Sequence, residues 1–320
     1  MAQFEADAYG EEVCKVLSSQ IKDSKVLVTG VTPGSIGGEA VIQISCRAPA
    51  LLVLAGRNSQ ALQELDRTIK LETPNVQTRL LVIDLSSQES VHKAAVEVKS
   101  YPETLDILIN SARVMASLFS LTKDGLELQF GTNHIGHFLF TNLVLEEILR
   151  RGASGTRVAN VSSLGHKREP IRFDDYKFEE GKVYDKWQAY GQSKTANMFY
   201  SVSLAERLGD KGVEAFSLYP GRIVTRLVKY LTNEDWLNSR WRHPDGTLNN
   251  DPKFNWTTQS QGAAKLIVAA YEPKMSDNNG SYLACNAVRN DEAADYALDP
   301  QNAEKLWILS EDLVDQKFFK

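Results

Sequence analysis

Cysteine is scarce in this chain, with three residues, Cys14, Cys46 and Cys285, among 320. An odd number without metal-ligand spacing points to a reducing compartment. Basic charge is also in short supply. Lys and Arg total 36 against 41 Asp and Glu, a net charge of −5, and no basic cluster alternates with aromatics. Nucleic acid is therefore not expected as a partner. No apolar run approaches the roughly 18 to 20 residues of a membrane span. Residues Met1 to Asp7 are acidic and lack a secretory pattern, so a cytoplasmic soluble protein is expected. The five histidines form no ligand set. His134 and His137 lack the flanking glutamate of a zinc-binding helix, and no metal is expected. Internal repeats, low-complexity tracts and linkers are missing too, which favours one large domain over two.

What the chain does have is a regular alternation of strand-like and helix-like segments. This predicts an α/β fold, a single doubly wound parallel sheet with helices on both faces. Lys25–Thr29, Leu51–Ala55, Val76–Ile83, Leu105–Ile109, Thr156–Val161 and Val213–Leu218 read as buried strands, with Gly280–Ala284 a short last one. Helices are expected from Glu39 to Arg47, over 59–71, after a cap at Ser86 or Ser87, and over 125–151, 189–208, 260–271 and 301–319. Residues 164–188 read as a loop with at most one helical turn. The stretch from Thr225 to Asn255 is irregular and tryptophan-rich, and with Trp256 it reads as a lid or binding loop. The organisation expected is an N-terminal helical extension (1–24), a catalytic domain (25–284) with a substrate loop at 225–258, and a C-terminal helical extension (285–320).

The first strand runs into Gly30-Val31-Thr32-Pro33-Gly34-Ser35-Ile36-Gly37-Gly38 and then a helix. Glycines let the backbone turn sharply and approach a pyrophosphate, whose charge then meets the helix N-terminus. Dinucleotide binding is the reading of this turn. The second strand ends Gly56-Arg57-Asn58, without the acid that would accept from the ribose hydroxyls of NAD. Arg57 suits a 2′-phosphate instead, so NADP(H) is the expected cofactor.

Tyr190 and Lys194 stand four residues apart, one above the other on a helix face. An ammonium beside a phenol favours the phenolate and makes a tyrosine usable for proton transfer. Of eleven tyrosines, only Tyr190 has lysine four residues on, and Val161-Ser162-Ser163 ends 27 residues upstream of it.

Taken in order, these segments resemble the short-chain dehydrogenase/reductase family over roughly residues 25–284, in particular its retinol-dehydrogenase-like and fungal NADP-linked reductase branch. The matching pieces are Thr29-Gly30 through Gly37, Asp84-Leu85, Asn110, Asn133, Val161-Ser162-Ser163, Tyr190 with Lys194, and Pro220-Gly221 followed by Thr225. The resemblance implies that Tyr190 is the general acid, that Ser163 holds the substrate oxygen, and that Lys194 holds the nicotinamide ribose and lowers the phenol pKa. A fall from about 10 to about 7 requires roughly 4 kcal/mol. Asn133 would hold a water relaying protons to Lys194. Gly30, Ser35 and Ile36 would meet the phosphates, Asp84 and Leu85 the adenine, Asn110 the adenosine ribose, and Ile223 and Thr225 the nicotinamide amide. The implied reaction interconverts a carbonyl and an alcohol on a small-to-medium apolar substrate. A homo-oligomer through the helices near 125–151 and 189–208 would follow family habit.

Two departures stand out. Ser35 adds a residue to the glycine turn, and Asn110-Ser111-Ala112-Arg113 carries arginine where the family has glycine. Whether Arg113 faces the substrate cleft is left open by the sequence. Two other readings are a catalytically silent NADP-binding redox-sensing regulator and an extended-family epimerase.

Overall fold

The computed structural model describes residues 3–153, 155–225, 228 and 230–319. Arg226, Leu227 and Lys229 of the expected substrate loop therefore lie outside the described residues. Eight strands form one sheet in the order β3-β2-β1-β4-β5-β6-β7-β8. They are β1 (Lys25–Thr29), β2 (Leu51–Gly56), β3 (Thr78–Val82), β4 (Ile107–Asn110), β5 (Thr156–Val161), β6 (Val213–Leu218), β7 (Tyr282–Ala284) and β8 (Ala287–Val288). Neighbours pair in parallel except β7 with β8. The fold is a doubly wound parallel sheet, and the chain reverses direction across it between β1 and β4, the place where such sheets bind ligands.

Strand side chains alternate between two layers. Val26 and Val28 join one apolar cluster and Leu27 the other. The first layer holds α1 (Gly10–Val16), the short α2 (Ser18–Ile21), α3 (Ile36–Ser45), α4 (Ser59–Glu72) and α10 (Gln259–Tyr271). The second holds α5 (Gln88–Lys99), α6 (Leu128–Phe130), α7 (Gly136–Arg150), α8 (Lys186–Leu208) and α11 (Pro300–Leu313). A small helix, α9 (Asn233–Asn238), stands in the tryptophan-rich segment. No helix among the described residues is long and apolar enough to cross a membrane.

The closing helix stops at Leu313 rather than Phe319, β3 (Thr78–Val82) is shorter than expected and β4 (Ile107–Asn110) starts two residues later; four further differences have a local reason. α3 begins at Ile36 rather than Glu39, because the Ser35 hydroxyl caps it by accepting from Gly38 N–H at 3.0 Å. α8 begins at Lys186 rather than Ala189, since the Asp185 carboxylate accepts from the N–H groups of Trp187 and Gln188 at 2.9 and 2.8 Å. The long helix expected from Gly125 is not continuous. Gly125 has a positive φ of 75°, Glu127 caps α6, and the wider π turn Gly131–Ile135 separates α6 from α7. Residues 285–320 begin with strand β8, reached by a tight turn at Cys285 and Asn286, so the sheet extends past residue 284.

α11 packs along α8. Ser203 Oγ donates to the Ala303 carbonyl at 3.1 Å, and the Arg207 guanidinium lies 4.5 Å above the Trp307 ring. That flank of α8 is covered from within the chain.

Candidate active site

The carboxyl ends of β1, β4 and β5 are stitched together by buried polar groups. Asn110, the last residue of β4, donates through its amide to Asn160 Oδ1 at 2.8 Å and Thr141 Oγ1 at 3.0 Å. Thr29, ending β1, accepts through Oγ1 from the N–H groups of Ser111 and Ala112 at 3.0 and 3.1 Å. Its hydroxyl also lies 2.8 Å from His137 Nε2, while His137 Nδ1 lies 3.1 Å from the Asn133 carbonyl. A carbonyl can only accept, so Nδ1 carries the hydrogen and the Thr29 hydroxyl donates to Nε2. Burial pushes the His137 pKa down to about 4, so this neutral tautomer persists near pH 7.

Asn133 lies in the π turn, a distortion frequent at functional sites. Its Oδ1 accepts from Val114 N–H at 2.8 Å, and its Nδ2 donates to the Val114 carbonyl and Ser193 Oγ at 2.9 Å each. Both ends of the side chain are therefore spent on protein. Through Ser193 it ties the π turn to α8 one residue before Lys194.

Ser163 and Tyr190 meet above this floor, both lining one cavity, and the Ser163 Oγ accepts from Gly165 N–H at 3.1 Å. Ser162 is turned away, its Oγ donating to the Lys194 carbonyl at 2.9 Å. Gly165 lies so close that a Cβ there would fall 3.0 Å from the Tyr190 ring. Lys194 is fully buried, with Nζ 5.7 Å from the Tyr190 ring centroid and donating to the Val161 carbonyl at 3.0 Å. The phenol pKa is not lowered in this environment. Burial raises it, and the Arg113 guanidinium and Ser163 pull the other way without overcoming desolvation. Burial, with Arg113 second, holds Lys194 well below the usual lysine value.

The residues expected to bind the cofactor separate into two groups. Gly30 has φ +74°, and a Cβ there would come 2.5 Å from Ala112 Cα, so only glycine lets the turn lie against the exit of β4. Gly34, at the tip, opens on free space. Ile36 and Ile223 converge over Gly262, where a Cβ would fall 2.2 Å from Ile223 Cδ1 and 3.2 Å from Ile36 Cγ2. Thr225 follows two residues later. Arg57 stands exposed just past the end of β2.

The second group is engaged inside the fold. The Ser35 hydroxyl donates to the Thr32 carbonyl at 2.8 Å while capping α3, so it closes the turn rather than reaching outward. Asp84 Oδ1 accepts from Ser86 N–H at 3.1 Å and Ser86 Oγ at 2.6 Å. Leu85 is buried, its carbonyl pressed against Gly136. The Asn110 amide is committed below the sheet edge, as described. The side chains of these four residues thus have partners or packing within the fold.

A cavity of about 200 Å³ opens at Ser163 and Tyr190. Arg113 lines it, which answers the question the sequence left open. Trp187, Trp236, Trp241 and Trp256 wall it from the far side, with Arg168 and Arg222 among them. Ring centroids of Trp187 and Trp241 are 5.8 Å apart, and those of Trp236 and Trp241 6.0 Å. Val228, Trp236, Trp241 and Trp256 thus lie against the site, with α9 tied down by Lys186 Nζ to Asp235 Oδ1 at 2.5 Å. Trp187, Arg168 and Arg222 were not among the sequence candidates. For Trp187 the signal was available: once α8 starts at Lys186, it falls three residues before Tyr190 and on its side of the helix.

Comparison with known proteins agrees with this geometry. The short chain dehydrogenase family model matches residues 24–177. A Brassica napus chloroplastic short-chain dehydrogenase, TIC 32 A, is 35% identical over 310 residues, covering 93% of this chain and 91% of its own. Mouse retinol dehydrogenase 12 is 33% identical over 296 residues, covering 92% and 87%. Among solved structures, a protein from Mycobacterium Paratuberculosis superposes with a TM-score of 0.67 at 26% identity, over 93% of this chain and 96% of that one. A glycine turn at the β1–α3 junction and a Ser163–Tyr190 pair over a buried polar floor have the same explanation as these matches: the chain belongs to the short-chain dehydrogenase/reductase family, in its retinol-dehydrogenase-like branch.

Proposed function

We propose that the protein is an NADP(H)-dependent oxidoreductase that interconverts a carbonyl and an alcohol on a small-to-medium apolar substrate, with Tyr190 as general acid and base. The observation that carries this reading is that Ser163 and Tyr190 line one cavity, with Lys194 Nζ 5.7 Å from the Tyr190 ring centroid.

The groove fits a dinucleotide. The first N–H groups of α3 face the glycine turn, and Gly34 leaves its tip open. Ser111 Oγ, buried against Gly37, has no hydrogen-bond partner within the protein. Arg57 at the end of β2, with no neighbouring acid, favours a 2′-phosphate. When bound, the nicotinamide supplies hydride in reduction and takes it up in oxidation.

The chain's own residues do the rest. The Ser163 hydroxyl donates to the carbonyl oxygen and orients it. As the carbon gains hydride, the Tyr190 hydroxyl gives its proton to that oxygen, and the product is the alcohol. The raised phenol pKa keeps Tyr190 protonated and ready for this direction. Lys194 and Asn133 hold the tyrosine's helix in place from behind.

Tyr190→Phe tests the assignment. Carbonyl-dependent NADPH oxidation, followed by nicotinamide absorbance, should fall by about 10²- to 10⁴-fold, with NADPH affinity by fluorescence titration held within about twofold. Full turnover in this variant would remove Tyr190 as the acid.

A further inference from the structure

The cavity wall has a composition that the reaction alone does not require. Three arginines, Arg113, Arg168 and Arg222, line it together with tryptophans, and no aspartate or glutamate does. Elsewhere the chain pairs its arginines readily with carboxylates, as in Arg79 with Glu103, Arg157 with Glu214 and Arg172 with Asp175. None of the cavity three has such a partner among the described residues.

Two of them, Arg168 and Arg222, lie near aromatic rings instead. The Arg168 guanidinium lies 5.5 Å from the Trp187 ring centroid, and that of Arg222 lies 5.6 Å from Trp241 and 5.8 Å from Trp256. Stacking on a ring uses the π face of a guanidinium and leaves its in-plane N–H fork available, the geometry that suits a carboxylate. Arg222 spends one donor on the Phe254 carbonyl, and Arg113 one on the Ser111 carbonyl at 3.0 Å. The remaining donors exceed what the protein supplies acceptors for at this wall.

The cofactor's phosphates do not account for this charge. Of the turn from Gly30 to Gly38, no residue lines the cavity. Size narrows the ligand further. An apolar cavity of about 150 Å³ takes one benzene ring, and the about 200 Å³ here is shared with the nicotinamide expected at Ile223, so the substrate has one ring at most.

Building on the redox reading above, but replacing its wholly apolar substrate, we propose as substrate a single-ring aromatic carbonyl compound bearing a carboxylate, held by Arg168 and Arg222 with its ring among the tryptophans. In reduction, hydride adds to the ketone or aldehyde carbon and the Tyr190 proton goes to its oxygen. The carboxylate is untouched, and the products are a hydroxy acid and NADP⁺.

The test uses the full chain with NADPH and the matched pair phenylglyoxylate and methyl phenylglyoxylate, plus benzoate as a binding probe read by tryptophan fluorescence. The acid should exceed its ester in kcat/KM by about tenfold or more, the size of one charge-assisted contact. In Arg168→Gln and Arg222→Gln the acid-to-ester ratio should collapse toward one, and benzoate should bind at least about tenfold more weakly. Equal or better use of the ester by the wild-type protein overturns the proposal while leaving the redox reading intact. Where neither compound is reduced, benzoate decides: quenching that both substitutions weaken supports the anion site, and no quenching overturns it. Benzoate binding without oxidation of NADPH by any carbonyl would count against the redox reading instead.

Discussion

The polar layer beneath the site and the cap over its cavity are built on opposite electrostatic plans. The floor, from Thr29, Asn110, Asn133, His137 and Asn160, consists of neutral polar groups that are buried and bonded to one another. The cap, from Arg168, Arg222 and the tryptophans, consists of charges resting on rings with donors left over. A network closed on itself holds one geometry whether or not a ligand is present. Unmatched donors hold a geometry that only a ligand completes. Positioning therefore belongs to the floor and discrimination to the cap.

Asn133→Ala should break the floor with the largest effect. It strands the Val114 N–H and carbonyl and removes the donor to Ser193 Oγ, which keeps its bond to the Tyr190 carbonyl, and unsatisfied buried groups cost about 1–3 kcal/mol each. A loss of about 3 kcal/mol or more is expected in denaturant titration, with turnover falling alongside. A loss under about 1 kcal/mol would show that the floor is not self-supporting.

Acid should attack the same layer next. Burial holds His134 down to about 3 and His137 down to about 4, from an ordinary 6.5. Below that ordinary value the unfolded chain binds protons that the folded one refuses, so stability falls with pH until the folded values are reached. Between pH 7 and 5 the loss is about 2 kcal/mol for each histidine. Urea midpoints that do not move over that interval would contradict the neutral assignment, and His137→Gln should flatten the profile.

Arg57→Ala sharpens the comparison by touching neither floor nor cap. The KM for NADPH should rise about tenfold, one lost charge-assisted contact, and that for NADH by much less. Equal effects on both would take Arg57 out of the phosphate site.

The smallest effect is expected where the cap is tied down. Lys186→Met removes the ion pair to Asp235, worth about 1 kcal/mol or less in a partly exposed place. The substrate KM should rise by about two- to fivefold, with the denaturation midpoint almost unmoved. A larger loss of stability than of affinity would place this tie in the fold rather than in the cap.

Much of the floor was legible beforehand because its signals are local. Strands of continuous apolar residues, the glycine turn, and the 190/194 spacing each depend on a few neighbouring positions. The doubly wound parallel sheet and six strand positions followed from them. What stayed hidden depends on partners far along the chain. Nothing near Asn110 announces that its amide would be taken by Asn160, or near Ser35 that its hydroxyl would close its own turn. The Asp185 cap was overlooked, and with it the three residues that bring Trp187 into the cavity. Arg168 and Arg222 lie 54 positions apart and acquire a shared meaning only when the tryptophans gather them. Tyr190 taught the same lesson in energy rather than in space. Its lysine neighbour was visible, and the depth of burial that outweighs it was not.

One contact at the far edge of the second helical layer reaches further than its position suggests. Ser310 on α11 passes its hydrogen to the Leu306 carbonyl, so His134 Nε2 must donate to it across 2.7 Å. His134 sits next to Asn133 in the widened helical turn. A tag or fusion that peels α11 from α8 would therefore loosen the frame beside the asparagine, while leaving every cavity residue chemically intact. Carrier proteins are better joined at the amino end, and a sluggish preparation bearing a carboxyl-terminal fusion would say more about the handle than about the enzyme.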